Sequence, residues 1–412
     1  VETRRAVIRS LTLVAVLAGV AHAERPTLAD EATVGRPGGS ILVHYATSGA
    51  DAATLAFATE VADTAEDALT RLVALGFRRP ISDGVLGGDD RIDIYLRDLR
   101  SADGNVSLDA CDGGLCIGYA QAENDFAGFH YPSITEGIRS VVPHELFHLI
   151  QNAYSTGQSA TWSEGSAVWA VEHLYGASNA DFERLLPAFL GKTFRPFERP
   201  AGGFGDAYPY GASLWPVFLE QAFGATTLVE IWAGCEQDDF LDATALVVPF
   251  DDAWIAFTRR NALTGAQAVA GGYPGAAAYP DAPREELGAT RVAIEGLSAR
   301  YVPLSIAERS RIELPTTLRI AATAGGVEFT GSPLTATLEP GRYELVITGL
   351  SPNTLATDVE IAIGPPDEGG CATSGSPALL PVVLLRRRRR RTVSPCMSAS
   401  RSSRSWSRTA RR

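Results

Sequence analysis

The chain has 412 residues, 45% of them hydrophobic and 20% charged, with a formal net charge of −12. That is apolar material for a sizeable core, and the acidity excludes nonspecific binding to nucleic acid. Much of the positive charge sits at the two ends: without Arg4, Arg5, Arg9 and Glu2, and without the eleven arginines from Arg386 onward, 22 basic residues face 47 acidic ones, a net charge of −25.

Arg4, Arg5 and Arg9 precede the apolar stretch 11–20, and Ala21, His22 and Ala23 follow as a small-x-small cleavage site. Residues 1–23 therefore read as a signal peptide, too short in its apolar part for a membrane span, and predict export. Residues 24–284 read as one α+β domain. Residues 41–45 (ILVHY) predict a short strand. Leu55, Val61, Ala65, Leu69, Leu72 and Leu75 recur at helical spacing and predict a helix that stops near Gly76. Residues 91–96 (RIDIYL) alternate as a half-buried strand does, and another strand is expected over 115–120.

Five cysteines are too few for a disulfide framework. Cys111 and Cys116 bracket a small loop and suit a local disulfide in an oxidising compartment; a metal held by this pair would need a second pair that does not follow. Cys235 is left over and is expected in the core.

His144, Glu145, Leu146, Phe147 and His148 form an H-E-x-x-H motif between apolar pairs Val141–Val142 and Leu149–Ile150. On a helix, positions i and i+4 share a face, so both imidazoles reach one metal ion, and Glu145 lies where it can take a proton from water. Two neutral nitrogen ligands and a nearby carboxylate base are what a zinc hydrolase needs. The helix start is contested. Ser133 and Glu136 form a capping box, yet Pro143 would then lie deep inside the helix, so a kinked or stepped entry is expected.

Zinc in a catalytic site takes a third protein ligand. The extension to G-x-x-H is excluded, because Gln151 and Tyr154 stand where its glycine and histidine belong. Downstream, Thr161, Trp162, Ser163, Glu164, Gly165, Ser166 and Ala167 resemble the W-x-x-E-G segment that supplies a glutamate ligand in gluzincin peptidases, with the tryptophan one residue nearer. The resemblance implies Glu164 as third ligand, on a second helix beside the first. Glu172 is either a carboxylate behind a histidine or a solvated residue, and His173 is expected to pack rather than ligate. Donors for a developing oxyanion are sought among His130, Tyr131, Tyr208 and Tyr210; the two last are expected to pack beside Trp215 and Phe218.

From residue 285 to 366 short alternating strands, such as 342–348 and 359–363, are separated by turns such as Glu339-Pro340-Gly341. This predicts a small β-sandwich, without histidine and outside the metal chemistry. Gly369, Gly370 and Cys371, the apolar run 378–385 and six arginines from Arg386 then resemble the C-terminal sorting signal of myxobacterial surface proteins. The resemblance implies that segment 367–391 retains the protein at the cell surface and is its only tie to a membrane. Residues 392–412, with Cys396, read as a disordered Ser/Arg-rich tail.

Segments 42–45 (LVHY), 92–95 (IDIY), 144–151 (HELFHLIQ), Trp162 to Gly165 and 210–219 (YGASLWPVFL) together resemble a family of secreted metalloproteases of myxobacteria. That resemblance implies a zincin-like domain with a mixed sheet, the H-E-x-x-H helix and a mainly helical second half. It also implies one zinc ion per chain on His144, His148 and Glu164, Glu145 as catalytic base, and a protein or peptide as substrate. The rival expectation is a surface adhesion or scaffold protein that keeps a zinc site without turnover.

Overall fold

A computed structural model describes residues 25–176, 180–203 and 205–366. The segments expected as leader, sorting signal (with Cys371) and tail (with Cys396) lie outside the described residues. The described chain is α+β.

Its first half is built on a five-stranded sheet: β1 (Glu31–Val34), β2 (Ile41–Ala46), β3 (Ile92–Arg97), β4 (Gly104–Asp112) and β5 (Leu115–Glu123), in the order β1-β2-β3-β5-β4. β2, β3 and β5 run parallel, and β1 and β4 are antiparallel edges. Parallel neighbours need a crossover, and α1 (Leu55–Leu75) supplies the one between β2 and β3. Thr54 caps it, and Gly76 at φ 120° ends it by turning its N–H back to Leu72 and Val73. Val61, Ala65, Leu69 and Leu72 are buried as their spacing predicts; Leu55, in the first turn, is exposed.

The edge strand β4 was not picked out in the sequence although residues 105–110 alternate polar and apolar; its burial runs against that alternation, with Leu108 exposed and Asp109 buried. A bulge between Leu108 and Ala110 interrupts its register. Asp109 is buried there and pairs with Arg25, which also pairs with Asp83 and Asp93. Asp93 in turn meets His44 Nε2 at 2.8 Å. The segment at Arg25 is thereby tied to β2, β3 and β4. At the far end of β4, the Cys111–Cys116 disulfide closes the hairpin, as its spacing suggested.

α2 (Ile134–Gln151) begins at the capping box: Ser133 Oγ accepts from the Glu136 N–H at 3.2 Å. Pro143 lies inside this one helix and does not start it. The missing N–H leaves the Arg139 carbonyl without its intrahelical donor, a cost carried by the packing of a helix whose residues from Ser140 to Pro143 are all buried. α3 (Ala160–Tyr175) follows, capped by Ser159. Then come α4 (Ala180–Leu190), α5 (Tyr208–Gly211), α6 (Leu214–Phe223), α7 (Thr226–Gly234), α8 (Phe240–Val247) and α9 (Phe250–Asn261), the helical second half that was expected. Trp162, Trp169, Trp215 and Trp232 are buried at its centre, where Trp162 stacks between Trp232 and Phe240. Cys235 is free and buried, as expected.

Nine strands follow: β6 (Arg291–Ile294), β7 (Ala299–Ile306), β8 (Ser310–Leu314), β9 (Ile320–Ala324), β10 (Val327–Glu328), β11 (Leu334–Leu338), β12 (Gly341–Gly349), β13 (Thr357–Glu360) and β14 (Ala362–Gly364). They pair as β10-β9-β12-β7, β11-β8-β14 and β13-β6 around a shared core that includes Val302, Ile312, Leu345 and Val359. The run 359–363, read as one strand, is two. The Ile361 N–H turns to Thr290 O at 2.8 Å, so β13 pairs with β6 and β14 with β8. This strand-rich part meets α9 through a polar seam: Trp254 Nε1 donates to Gly349 O at 3.1 Å, and the Tyr301 hydroxyl to Thr258 O at 2.9 Å. Among the described residues no helix is long and apolar enough to cross a membrane.

Candidate metal centre

His144 and His148 are one turn apart on α2, and Glu164 lies in the first turn and a half of α3, which packs beside α2. Three atoms converge. His144 Nε2 and His148 Nε2 are 3.0 Å apart, and Glu164 Oε2 is 3.2 Å from the first and 3.3 Å from the second. Among the described residues this is the one group of three His, Cys, Asp or Glu side chains arranged to hold a metal ion. Three acceptor atoms brought this close need a proton or a cation among them.

The electrostatics make the same demand. Burial alone lowers the pKa of the His148 imidazole, but the Glu164 carboxylate outweighs it and raises that pKa to about 9. Burial pushes Glu164 up, yet the two imidazoles hold it well below the usual carboxylate range. Glu145 is pushed up by burial, with Glu164 and Asp103 adding to it against the pull of both histidines. A divalent cation at the triad compensates both carboxylates at once.

Glu145 faces the start of β4. A Cβ on Gly104 would stand 2.7 Å from Glu145 Oε1 and 2.6 Å from Val141 Cγ1, so only glycine lets the edge strand approach this closely. His144, Glu164 and Glu145 border a cleft of about 480 Å³. Asp103 and Gly104 form one wall, and Val168, Leu185 and Tyr210 stand opposite or beside them.

The tyrosine pair divides. Tyr208 packs, as expected: it is buried against Phe189, and its hydroxyl reaches Arg195 O. Tyr210 does not. Its ring stacks on His144 at 5.9 Å with an interplanar angle of 15°, and its hydroxyl donates to Glu164. Burial, then the charges of Glu164 and Glu145, raise its pKa above that of a free phenol, so the hydroxyl stays protonated. Tyr131 also lines the cleft and donates to Asp103. Residues two apart in a short helix point to different sides, which is the signal that could have separated Tyr210 from Tyr208.

His173 pairs with Glu220 at 2.8 Å and takes no part in the triad, as its packing role predicted. The acceptor behind His148 is Gln151, whose Oε1 lies 2.9 Å from His148 Nδ1, rather than Glu172. Glu172 instead acts on Tyr279, away from the metal centre.

No family model fits the sequence, and no curated protein is detectably similar to it.

Proposed function

We propose that the chain is an exported zinc endopeptidase, of the type resembled by its H-E-x-x-H and Glu164 segments. The observation that carries this reading is the triangle of ligand atoms with sides of 3.0, 3.2 and 3.3 Å. Zinc bound tetrahedrally at about 2.0–2.1 Å keeps its ligand atoms about 3.3 Å apart, so His144, His148 and Glu164 fit it with little adjustment. Three protein ligands, two of them bordering a cleft, with a carboxylate beside them, suit catalysis; a structural zinc is closed by four.

When bound, zinc supplies Lewis acidity, acidifying a water and polarising a substrate carbonyl. Glu145 takes the proton of the attacking water and hands it to the leaving amine. Its burial and raised pKa suit a group that must both accept and return that proton. Tyr210, protonated and aimed at the ligand set, donates to the oxygen on which negative charge develops. Val168 and Leu185 give the cleft apolar walls that exclude bulk water.

On this reading α2, α3 and the mixed sheet form a zincin-like domain with β4 as the edge facing substrate. β6 to β14 form a β-sandwich, supported by the core their sheets share. The Cys111–Cys116 disulfide supports an oxidising location, and the arginine-flanked C-terminal run supports retention at the cell surface. The net negative charge argues against nucleic acid as a partner.

The test compares wild type with Glu145→Gln on an unfolded protein and on end-blocked peptides, with zinc assayed in both. We expect about one zinc per chain in each, internal cleavage by the wild type, and a loss of about 10²–10⁴-fold in the variant. Zinc in both with cleavage by neither would put the surface-scaffold reading in its place.

A further inference from the structure

Behind the triad lies a buried amide that the proposed reaction does not use. Gln151 is 3% exposed and sits at the last turn of α2, three residues after His148. Every polar atom of its side chain is engaged. Nε2 donates to Ser163 O at 2.8 Å and to Ser166 Oγ at 3.2 Å. Oε1 accepts from Ser163 Oγ at 3.0 Å and faces His148 Nδ1 at 2.9 Å. Ser166 Oγ is itself turned by Trp162 O at 2.6 Å.

This network fixes which way the amide points. Reversed, it would bring its carbonyl oxygen against the Ser163 carbonyl, two acceptors with no proton between them, and aim its NH2 at the histidine. With Oε1 on the histidine side, His148 Nδ1 must carry a proton, and the lone pair of Nε2 is left for the triad. Ser163 is the residue before Glu164. One side chain therefore joins the imidazole on α2 to the backbone that carries the carboxylate on α3.

We propose that Gln151 is the positioning residue of the metal centre: it sets the tautomer of His148 and fixes the spacing between His148 and Glu164. The proposal rests on the metal reading above and says what makes the triad selective in its geometry. A partner on the second nitrogen of a ligating histidine commonly changes metal affinity by about 10–100-fold. Here the same partner also spans the two helices, so its loss loosens two of the three ligands together.

The test is metal affinity in the full chain, read by chelator competition with zinc and by the visible spectrum of the cobalt-loaded protein. Gln151→Met keeps the buried volume but neither accepts from His148 nor donates to Ser163. We expect zinc binding weaker by about 10–100-fold and a cobalt spectrum shifted toward higher coordination. Gln151→Glu restores an acceptor to His148 Nδ1 but sets its second oxygen against Ser163 O, so it should recover only part of the loss. Ser166→Ala, which removes one anchor of the amide and no ligand, should weaken binding to a smaller degree. It carries the comparison if Gln151→Met does not fold. Unchanged affinity and spectrum in a folded Gln151→Met, or in Ser166→Ala when that variant stands alone, would overturn the proposal and leave the metal centre intact. A wild-type chain that takes up no zinc or cobalt would overturn both.

Discussion

Tyr210 holds two of the three ligands from outside: its ring lies on His144 and its hydroxyl on Glu164. Substituting Tyr210→Phe keeps the stacking and removes only the donor. We expect kcat to fall about 10²–10³-fold with KM and zinc content nearly unchanged, measured by steady-state cleavage of a blocked peptide. An equal fall in zinc content would assign the hydroxyl to ligand support instead. Gly104 is the second residue on which the site depends. Gly104→Ala would drive a methyl into Glu145 and Val141. Overpacking of this kind costs about 1–3 kcal/mol, and here the group displaced is Glu145, the proposed base. Thermal unfolding should show that modest loss while cleavage falls far more. A proportionate loss of both would mean that the base is not displaced.

At the scale of elements, the segment joining the two ligand-bearing helices is stitched to the β4–β5 hairpin. The Cys116 N–H donates to Asn152 O at 3.0 Å, and the Thr156 N–H to Gly114 O at 3.1 Å. The disulfide that closes this hairpin spans a short loop, and in the chain-entropy description such a crosslink contributes about 2 kcal/mol. Replacing Cys111 and Cys116 by alanine should lower the urea midpoint accordingly and lengthen the lag in metal uptake, since the α2–α3 connection loses its anchor. An unchanged midpoint would show that the hairpin is held without the disulfide. The elements legible in the sequence are those whose pattern follows from burial on one face. α1 shows its apolar stripe, β3 its alternation, and α2 its capping box and H-E-x-x-H spacing. β4 was only partly legible: residues 105–110 alternate polar and apolar, but the burial runs against that pattern, and nothing in the spacing marks Gly104 as the close approach to Glu145. The split of 359–363 into β13 and β14 was equally hidden: the pattern continues through Ile361, and only pairing with different partners breaks it. Likewise, the helical pairing of His144 and His148 was legible from spacing and the nearness of Glu164 from the resemblance of its segment, whereas the contacts of Tyr210 and Gln151 with them are not encoded by spacing.

For the whole molecule, the described residues form one compact unit, with the strand-rich part seated on α9 through Trp254, Thr258 and Tyr301. The metal centre draws its ligands from two helices that pack in the large aromatic core, so binding there is linked to folding of that core. Free zinc at a hundred times its dissociation constant should add about 2.7 kcal/mol. For a unit of this size that raises Tm by roughly 4 °C. Stripping the metal with a chelator should reverse the gain in the wild type and leave His148→Ala unaffected. A chelator effect of the same size in both would place the stabilising ion elsewhere.

The most direct measurement is anomalous scattering from crystals of the zinc-soaked chain, recorded on both sides of the zinc edge. The account predicts one strong peak about 2.0–2.2 Å from His144 Nε2, His148 Nε2 and a Glu164 carboxylate oxygen, with the open side toward the cleft. No peak at the triad, or a peak closed there by a fourth protein ligand, would contradict it.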